Sequence, residues 1–218
     1  MGVRPLVEGE KLLSLTAVVY QRGDTAGQLL AAISLLPLVL VVGLATCILC
    51  RREVHTCFFL LGQLLTELLN KALKETLRQP RPADAPADDY GMPSSHSQFM
   101  GFFAAYYCSF ALSRLGHHSR LEVVGSCLMS CAAALAVCYS RIYLSYHTVG
   151  QVVAGSGLGI ACGLVWRCLA VAVGPRLFPA IEGTGWARRF HLHDASTVDN
   201  VFVSAAGAAR QARARKRS

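Results

Sequence analysis

Charge is scarce in this chain, and what there is leans one way. Of 218 residues only 16% are charged, with 13 acidic against 21 basic side chains, while 53% are hydrophobic and the mean hydropathy is +0.41. A soluble domain of this length needs a far more polar surface, because the outer shell of a small globule is mostly exposed. The shortage of charge excludes that class and points to lipid as the solvent. The length suits one helical bundle and is too short for two. Acidic clusters are missing as well: Asp84, Asp88 and Asp89 share a loop with too little order to cage a divalent ion, so neither a metal nor another cofactor is expected. Cysteine is present, but zinc-ligand spacing is not. Cys47, Cys50, Cys57, Cys108, Cys127, Cys131, Cys138, Cys162 and Cys168 all lie in or beside apolar runs and read as small buried hydrophobes, not disulfides or metal ligands. The first long apolar run lacks a small-residue cleavage site, so no signal peptide is expected.

Hydrophobic runs are what the chain has in quantity. Residues 29–50 carry no charge and suffice to cross a bilayer core that needs about 20 residues. Runs at 54–73, 97–115, 123–139 and 148–173 complete a set of five, the second weakened by Glu67 and Lys71 near its end. Residues 12–20 are too short to span and are expected at the interface. The expectation is an all-α integral membrane helical bundle with about five transmembrane helices, divided into a lumenal segment (1–26), a transmembrane catalytic domain (27–174) and a basic cytoplasmic tail (175–218).

The net charge of +8 follows that topology. Arg51 and Arg52, Arg114 and Arg120, and the tail residues Arg210, Arg213, Arg215, Lys216 and Arg217 all fall on one side, which the positive-inside rule makes cytoplasmic. No basic stripe on a soluble fold is present, so nucleic acid is not an expected partner. The opposite side receives the loops 74–93 and 140–147, which hold Lys74, Arg78, Arg81 and Arg141 against the rule. A bound anion explains them.

Those loops carry the chemistry-bearing residues. Lys74 and Arg81 are seven apart, two turns along one helix face, and Pro80 and Pro82 stop a helix there and hold the chain extended. In YGMPSSHSQF, Pro93 fixes the entry to an apolar helix that Ser94 or Ser95 is suited to cap, and His96 sits in its first turn. Helix starts present free N–H groups and partial positive charge, a natural phosphate cradle. In SRIYLSYHTVGQ, Arg141 can fork two bonds to phosphate oxygens, and His147 lies four residues before Gln151 on one helix face. Each segment alone has a bland reading as a helix end or an interfacial histidine. Two histidines, two arginines and a lysine on one membrane face, without evident acidic partners, require an anionic ligand. Gly155, Gly159 and Gly163 form a ridge spaced by four, expected to pack closely within the bundle.

These three segments, in this order, resemble the signature of the type 2 phosphatidic acid phosphatase superfamily: K-x6-R-P, then P-S-G-H, then S-R-x5-H-x3-D. The resemblance implies a metal-independent phosphatase with His147 as nucleophile and His96 protonating the leaving oxygen. It further implies that Lys74, Arg81, Arg141, Ser94 and the amides of Ser95 and His96 hold the phosphoryl group, and that the last signature position, here Gln151, orients the nucleophile. Ser95 stands where the pattern has glycine and Gln151 where it has aspartate. Within the superfamily, QPRP, YGMPSSHSQFM and YSRIYLSYHT resemble the branch that acts on dolichyl diphosphate, which implies a multi-pass protein of the endoplasmic reticulum membrane with its site facing the lumen. A broader lipid phosphatase, a lipid phosphotransferase and a silent lipid-binding scaffold are the alternatives.

Overall fold

The computed structural model describes residues 10–13, 18–87, 89–113 and 119–194. Arg114 and the basic residues after 209 lie outside them. Two paired antiparallel strands, β1 (Glu10–Leu13) and β2 (Val18–Gln21), precede the helices, so the described residues of the interfacial stretch expected at 12–20 are extended. β2 is tied to the turn after the fifth helix, where the Val19 N–H donates to the side-chain hydroxyl of Tyr146 at 3.0 Å. The named elements that follow are all helices.

α1 (Thr25–Ile33) starts at Asp24, whose carboxylate accepts the Gly27 N–H at 2.9 Å. It bends at Ser34–Leu35 into α2 (Leu36–Arg51), where Pro37 takes a first-turn position that needs no donor. α3 (Val54–Leu77), α4 (Ser95–Leu112), α5 (Arg120–Tyr143), α6 (Val149–Glu182) and the short α7 (Gly185–Phe190) complete the bundle. Among the described residues three stretches are long and apolar enough by themselves to cross a membrane: Thr25–Arg51, Arg120–Tyr143 and Val149–Glu182. Leu38, Leu49, Leu121, Leu128, Leu135, Val153 and Val165 are exposed on them, as lipid-facing residues should be.

α3 and α4 fall short of that standard for a structural reason. α3 presents a buried polar stripe, Gln63, Thr66 and Asn70, toward α4, with the buried Lys74 one turn further on. Asn70 donates to Gln98 Oε1 at 2.6 Å, Gln98 donates to the Thr66 carbonyl at 2.6 Å, and Gln63 donates to the Phe99 carbonyl at 3.2 Å. Such bonds hold helices together where lipid offers no competing donor or acceptor. They also lower the apparent hydropathy of the two helices.

The largest interface is between α4 and α6, which run parallel. Gly155, Gly159 and Gly163 lie against the main chain of Ser94, Gln98 and Phe102, so ridges spaced by four meet on both helices. The glycine ridge therefore packs inside the bundle. α6 continues to Glu182, beyond the span expected to end at residue 173, and takes in Pro175 and Pro179. Its 34 residues extend about 51 Å at 1.5 Å each, well over a hydrocarbon core of about 30 Å. At the end of the bundle away from the α4 start, His193 exchanges backbone bonds with Arg52 and Val54 at 3.0 and 2.9 Å, tying the chain after α7 to the α2–α3 turn.

Candidate active site

Helix polarity gathers the three signature segments at one end. The C-termini of α3 and α5 and the N-termini of α4 and α6 all lie there, with β2 beside them. The loops 74–93 and 140–147 therefore share a face, as the charge pattern required.

Lys74 sits in the last turn of α3, which closes at Arg78 in the left-handed conformation (φ 48°). The Pro-flanked segment then carries Arg81 back across the bundle end. One guanidinium nitrogen, NH1, donates to the Tyr146 carbonyl at 2.8 Å and to His147 Nε2 at 2.9 Å. A guanidinium can only donate, so Nε2 of His147 holds a lone pair and the ring proton resides on Nδ1. That Nδ1–H faces Gln151 Oε1 at 3.2 Å. The Gln151 amide is fixed in turn, because its Nε2 donates to the Pro80 carbonyl at 2.8 Å. A capping box completes the arrangement: Thr148 Oγ1 accepts the Gln151 N–H and Gln151 Oε1 accepts the Thr148 N–H, each at 3.3 Å. An amide at position 151 serves two partners of opposite character, the Nδ1–H and a carbonyl. A carboxylate would meet that carbonyl with a second acceptor.

His147 enters on a tight turn after α5. Ser145 adopts φ 56°, and the amides of Tyr146 and His147 both bond the Arg141 carbonyl, at 3.0 and 3.1 Å. His147 is only 2% exposed. Burial first, then the charges of Arg81 and Arg141, push its pKa down to about 3, with the Gln151 hydrogen bond pulling weakly the other way. The ring is therefore neutral at physiological pH, with a lone pair on Nε2 of the kind that base or nucleophilic chemistry needs.

Arg141 is 4% exposed, and its guanidinium lies 4.0 Å over the Tyr146 ring. Its Nε is buried and finds no acceptor. A buried cationic donor left without an acceptor is costly, unless a ligand supplies the oxygen.

Ser94 is the N-cap of α4, with its N–H on the Gln151 carbonyl at 3.2 Å. Its hydroxyl accepts from Ser97 Oγ at 3.1 Å and makes no cap bond, so the expected side-chain capping by Ser94 or Ser95 does not occur. The first-turn amides of α4 remain uncapped by it. Ser95 is the first helical residue and keeps φ negative, so the signature glycine is not required there. His96 follows, half-buried and within coulombic reach of Arg141, His147, Lys74 and Arg81.

One expectation needs correction. Lys74 and Arg81 do have an acidic partner. Asp89 places Oδ2 3.2 Å from Lys74 Nζ, and Oδ1 2.8 and 2.7 Å from Arg81 Nε and NH2. Burial works to raise the Asp89 pKa, but the charges of Lys74 and Arg81 outweigh it and lower it. Three cations thus face one carboxylate, and the site keeps an excess of positive charge. Asp89 and Tyr146 were both missed from sequence. Nothing distinguishes Asp89 from Asp84 and Asp88 until the loop is folded, and Tyr146 is marked only by its place beside His147. Among the described residues no three His, Cys, Asp or Glu side chains are grouped to hold a metal ion.

Residues 55–173 match the model of the PAP2 superfamily. The chain is 38% identical over 200 residues to Dolichyldiphosphatase 1 of Homo sapiens, covering 87% of this chain and 84% of that protein. It is 36% identical over 211 residues to Lipid phosphate phosphatase gamma of Arabidopsis thaliana, covering 93% and 92%. The crystal structure of a transmembrane PAP2 type phosphatidylglycerolphosphate phosphatase from Bacillus subtilis superposes with a TM-score of 0.58 and 26% identity, over 70% of this chain and 80% of that one. With a site built from all three signature segments and a family match spanning more than half its length, this membrane-spanning chain belongs to the PAP2 superfamily of phosphatases.

Proposed function

We propose that the protein hydrolyses dolichyl diphosphate to dolichyl phosphate and orthophosphate through a phosphohistidine, returning the lipid carrier for protein N-glycosylation. The observation that carries the phosphate reading is the buried Arg141, whose Nε lacks an acceptor beside the convergent Lys74, Arg81 and His147. The lipid diphosphate is supported by relatives named dolichyldiphosphatase that align over most of the chain.

In this mechanism Lys74, Arg81 and Arg141 bind the equatorial oxygens of the terminal phosphoryl group, with Ser94 and the amides of Ser95 and His96 closing the cradle. Phosphoryl transfer asks mainly for positioning and charge stabilisation. His147 Nε2 attacks phosphorus as the bridging P–O bond breaks, and the electron pair leaves on dolichyl phosphate, which takes a proton from His96. Gln151 Oε1 keeps the Nδ1 proton in place while the ring becomes cationic. Water, deprotonated by His96, then forms the new P–O bond as P–N breaks, releasing orthophosphate. Fixed cations supply the charge that a metal supplies in other phosphatases.

The test is the purified full chain against dolichyl diphosphate, farnesyl diphosphate and phosphatidate, with and without excess EDTA. The highest kcat/KM is expected for dolichyl diphosphate, unchanged by the chelator. Preference for phosphatidate would favour a broader lipid phosphatase, the reading that the Arabidopsis relative's name suggests. Loss of turnover in EDTA with rescue by magnesium would rule out the metal-free mechanism.

The site is proposed to face the lumen of the endoplasmic reticulum, with residues 1–26 on the same side, 27–174 as the transmembrane phosphatase domain and 175–218 as a cytoplasmic tail. The signature loops and β2 share one end of the bundle, and the chain after α7 meets the α2–α3 turn, with Arg51 and Arg52, at the other. A glycosylation acceptor engineered between residues 84 and 89 is expected to be modified, and one after residue 205 is not. The reverse pattern would invert the topology.

A further inference from the structure

The carboxylate of Asp89 occupies the ground that the proposed mechanism assigns to phosphate. Its two oxygens bridge Lys74 Nζ and the Arg81 guanidinium, the pairing that two phosphoryl oxygens would make. The three side chains are not equally free. Lys74 and Arg81 are 10% and 8% exposed, whereas Asp89 is 26% exposed and approaches from the open side. Arg81 is held further by its bonds to the Tyr146 carbonyl and His147, and Lys74 by the last turn of α3. Asp89 stands in a loop outside the helices. When an anion enters, the carboxylate is therefore the group that can leave. Arg141 does not share this partner and keeps its unanswered Nε.

A fixed carboxylate at this place would repel the ligand it lies beside. A displaceable one does something useful, because orthophosphate bound to three cations dissociates slowly. We propose that Asp89 is a displaceable internal competitor: it neutralises Lys74 and Arg81 in the empty site, yields to the lipid diphosphate, and on returning speeds the departure of orthophosphate. The inference rests on the phosphate-site reading above. It also implies selectivity by charge. A diphosphate, with more negative charge than a monoester, displaces the carboxylate more readily.

The experiment is orthophosphate binding to the full chain in detergent, measured as competitive inhibition and by calorimetry, for the wild type and for Asp89→Asn. The amide keeps the shape and loses the charge. Orthophosphate should bind the variant at least about tenfold to a hundredfold more tightly, the range for losing even one of the charge-assisted bonds by which the carboxylate competes. kcat should fall through slow release, and KM should fall further for phosphatidate than for dolichyl diphosphate. Asp89→Glu retains the charge and should stay near the wild-type inhibition constant. It also serves as the comparison if the asparagine variant is unstable, together with Asp89→Ala, which should again bind tightly. Weaker or unchanged orthophosphate binding in both uncharged variants would overturn the proposal and make Asp89 a brace for the two cations. If the wild type binds no orthophosphate at all, the phosphate-site reading itself fails, a result distinct from failure of the Asp89 role.

Discussion

Replacing His147 with alanine should abolish turnover on every substrate, while replacing His96 should cost an amount that depends on the leaving group. The difference follows from which nitrogen each ring offers. His147 Nε2 is stripped of its proton by geometry, since Arg81 NH1 can only donate to it and Gln151 Oε1 claims the proton on Nδ1. Without that nitrogen there is no covalent intermediate, and no other described side chain holds a free lone pair in that position. His96 has a different task. General-acid help is commonly worth roughly 10²- to 10⁴-fold, and least where the departing oxygen is already stable. Dolichyl phosphate leaves with its charge spread over phosphate oxygens, whereas phosphatidate must expel an alkoxide. His96→Ala is thus expected to retain measurable activity on dolichyl diphosphate and to lose activity on phosphatidate. Comparison of kcat/KM for the two substrates in both variants decides the matter. Equal proportional losses with His96→Ala would remove the general-acid role, and turnover by His147→Ala would remove the phosphohistidine.

The second large effect lies away from the chemistry. Gly159→Ala should disassemble the site without touching a catalytic residue. A Cβ at Gly159 would fall on the Gln98 carbonyl well inside contact distance, and its neighbours on the ridge would approach the Ser94 carbonyl to 2.5 Å and the Phe102 carbonyl to 2.7 Å. Main-chain atoms cannot rotate aside as a flexible side chain can. Overpacking commonly costs roughly 1–3 kcal/mol, and a backbone obstacle places this substitution at or above the upper end. Relief comes only by separating α4 from α6. That movement carries His96 away from His147 and breaks the Asn70–Gln98–Thr66 bonds on the other side of α4. Gly157→Ala is the internal control, since nothing lies within 4 Å of a Cβ there and alanine favours helix. Thermal melting in detergent should show a marked loss for Gly159→Ala and none for Gly157→Ala. If the two variants melt alike, close packing of α4 on α6 is not what aligns the histidines.

Asp89 and Gln151 show where reading along the chain reaches its limit. The cations at positions 74, 81 and 141 stood out because they break the charge rule for their side of the membrane. From that surplus an anion was inferred, and part of it turned out to be internal. The substitution of Gln151 for the signature aspartate looked like a loss of charge. In the folded site it is a second hydrogen bond, the amide nitrogen reaching Pro80 while the oxygen serves His147.

By itself the sequence determined the solvent and the helical class and nominated candidate residues for the site, because hydropathy, charge asymmetry and motif spacing are properties of consecutive residues. Lys74, Arg81, Ser94, His96, Arg141, His147 and Gln151 were picked out in that way, and the fold brings them to one end of the bundle. Tertiary structure alone decided what each of them meets. The Asp89 bridge, the tautomer of His147, the Arg141–Tyr146 stack and the polar stripe between α3 and α4 join different loops or helices or depend on the turn that closes α5. No periodicity records such pairings, since they depend on how α3, α4, α5 and α6 are set side by side. The glycine ridge lies between the two cases: its spacing was visible, but its partner became known only when the backbone of α4 was found lying against it.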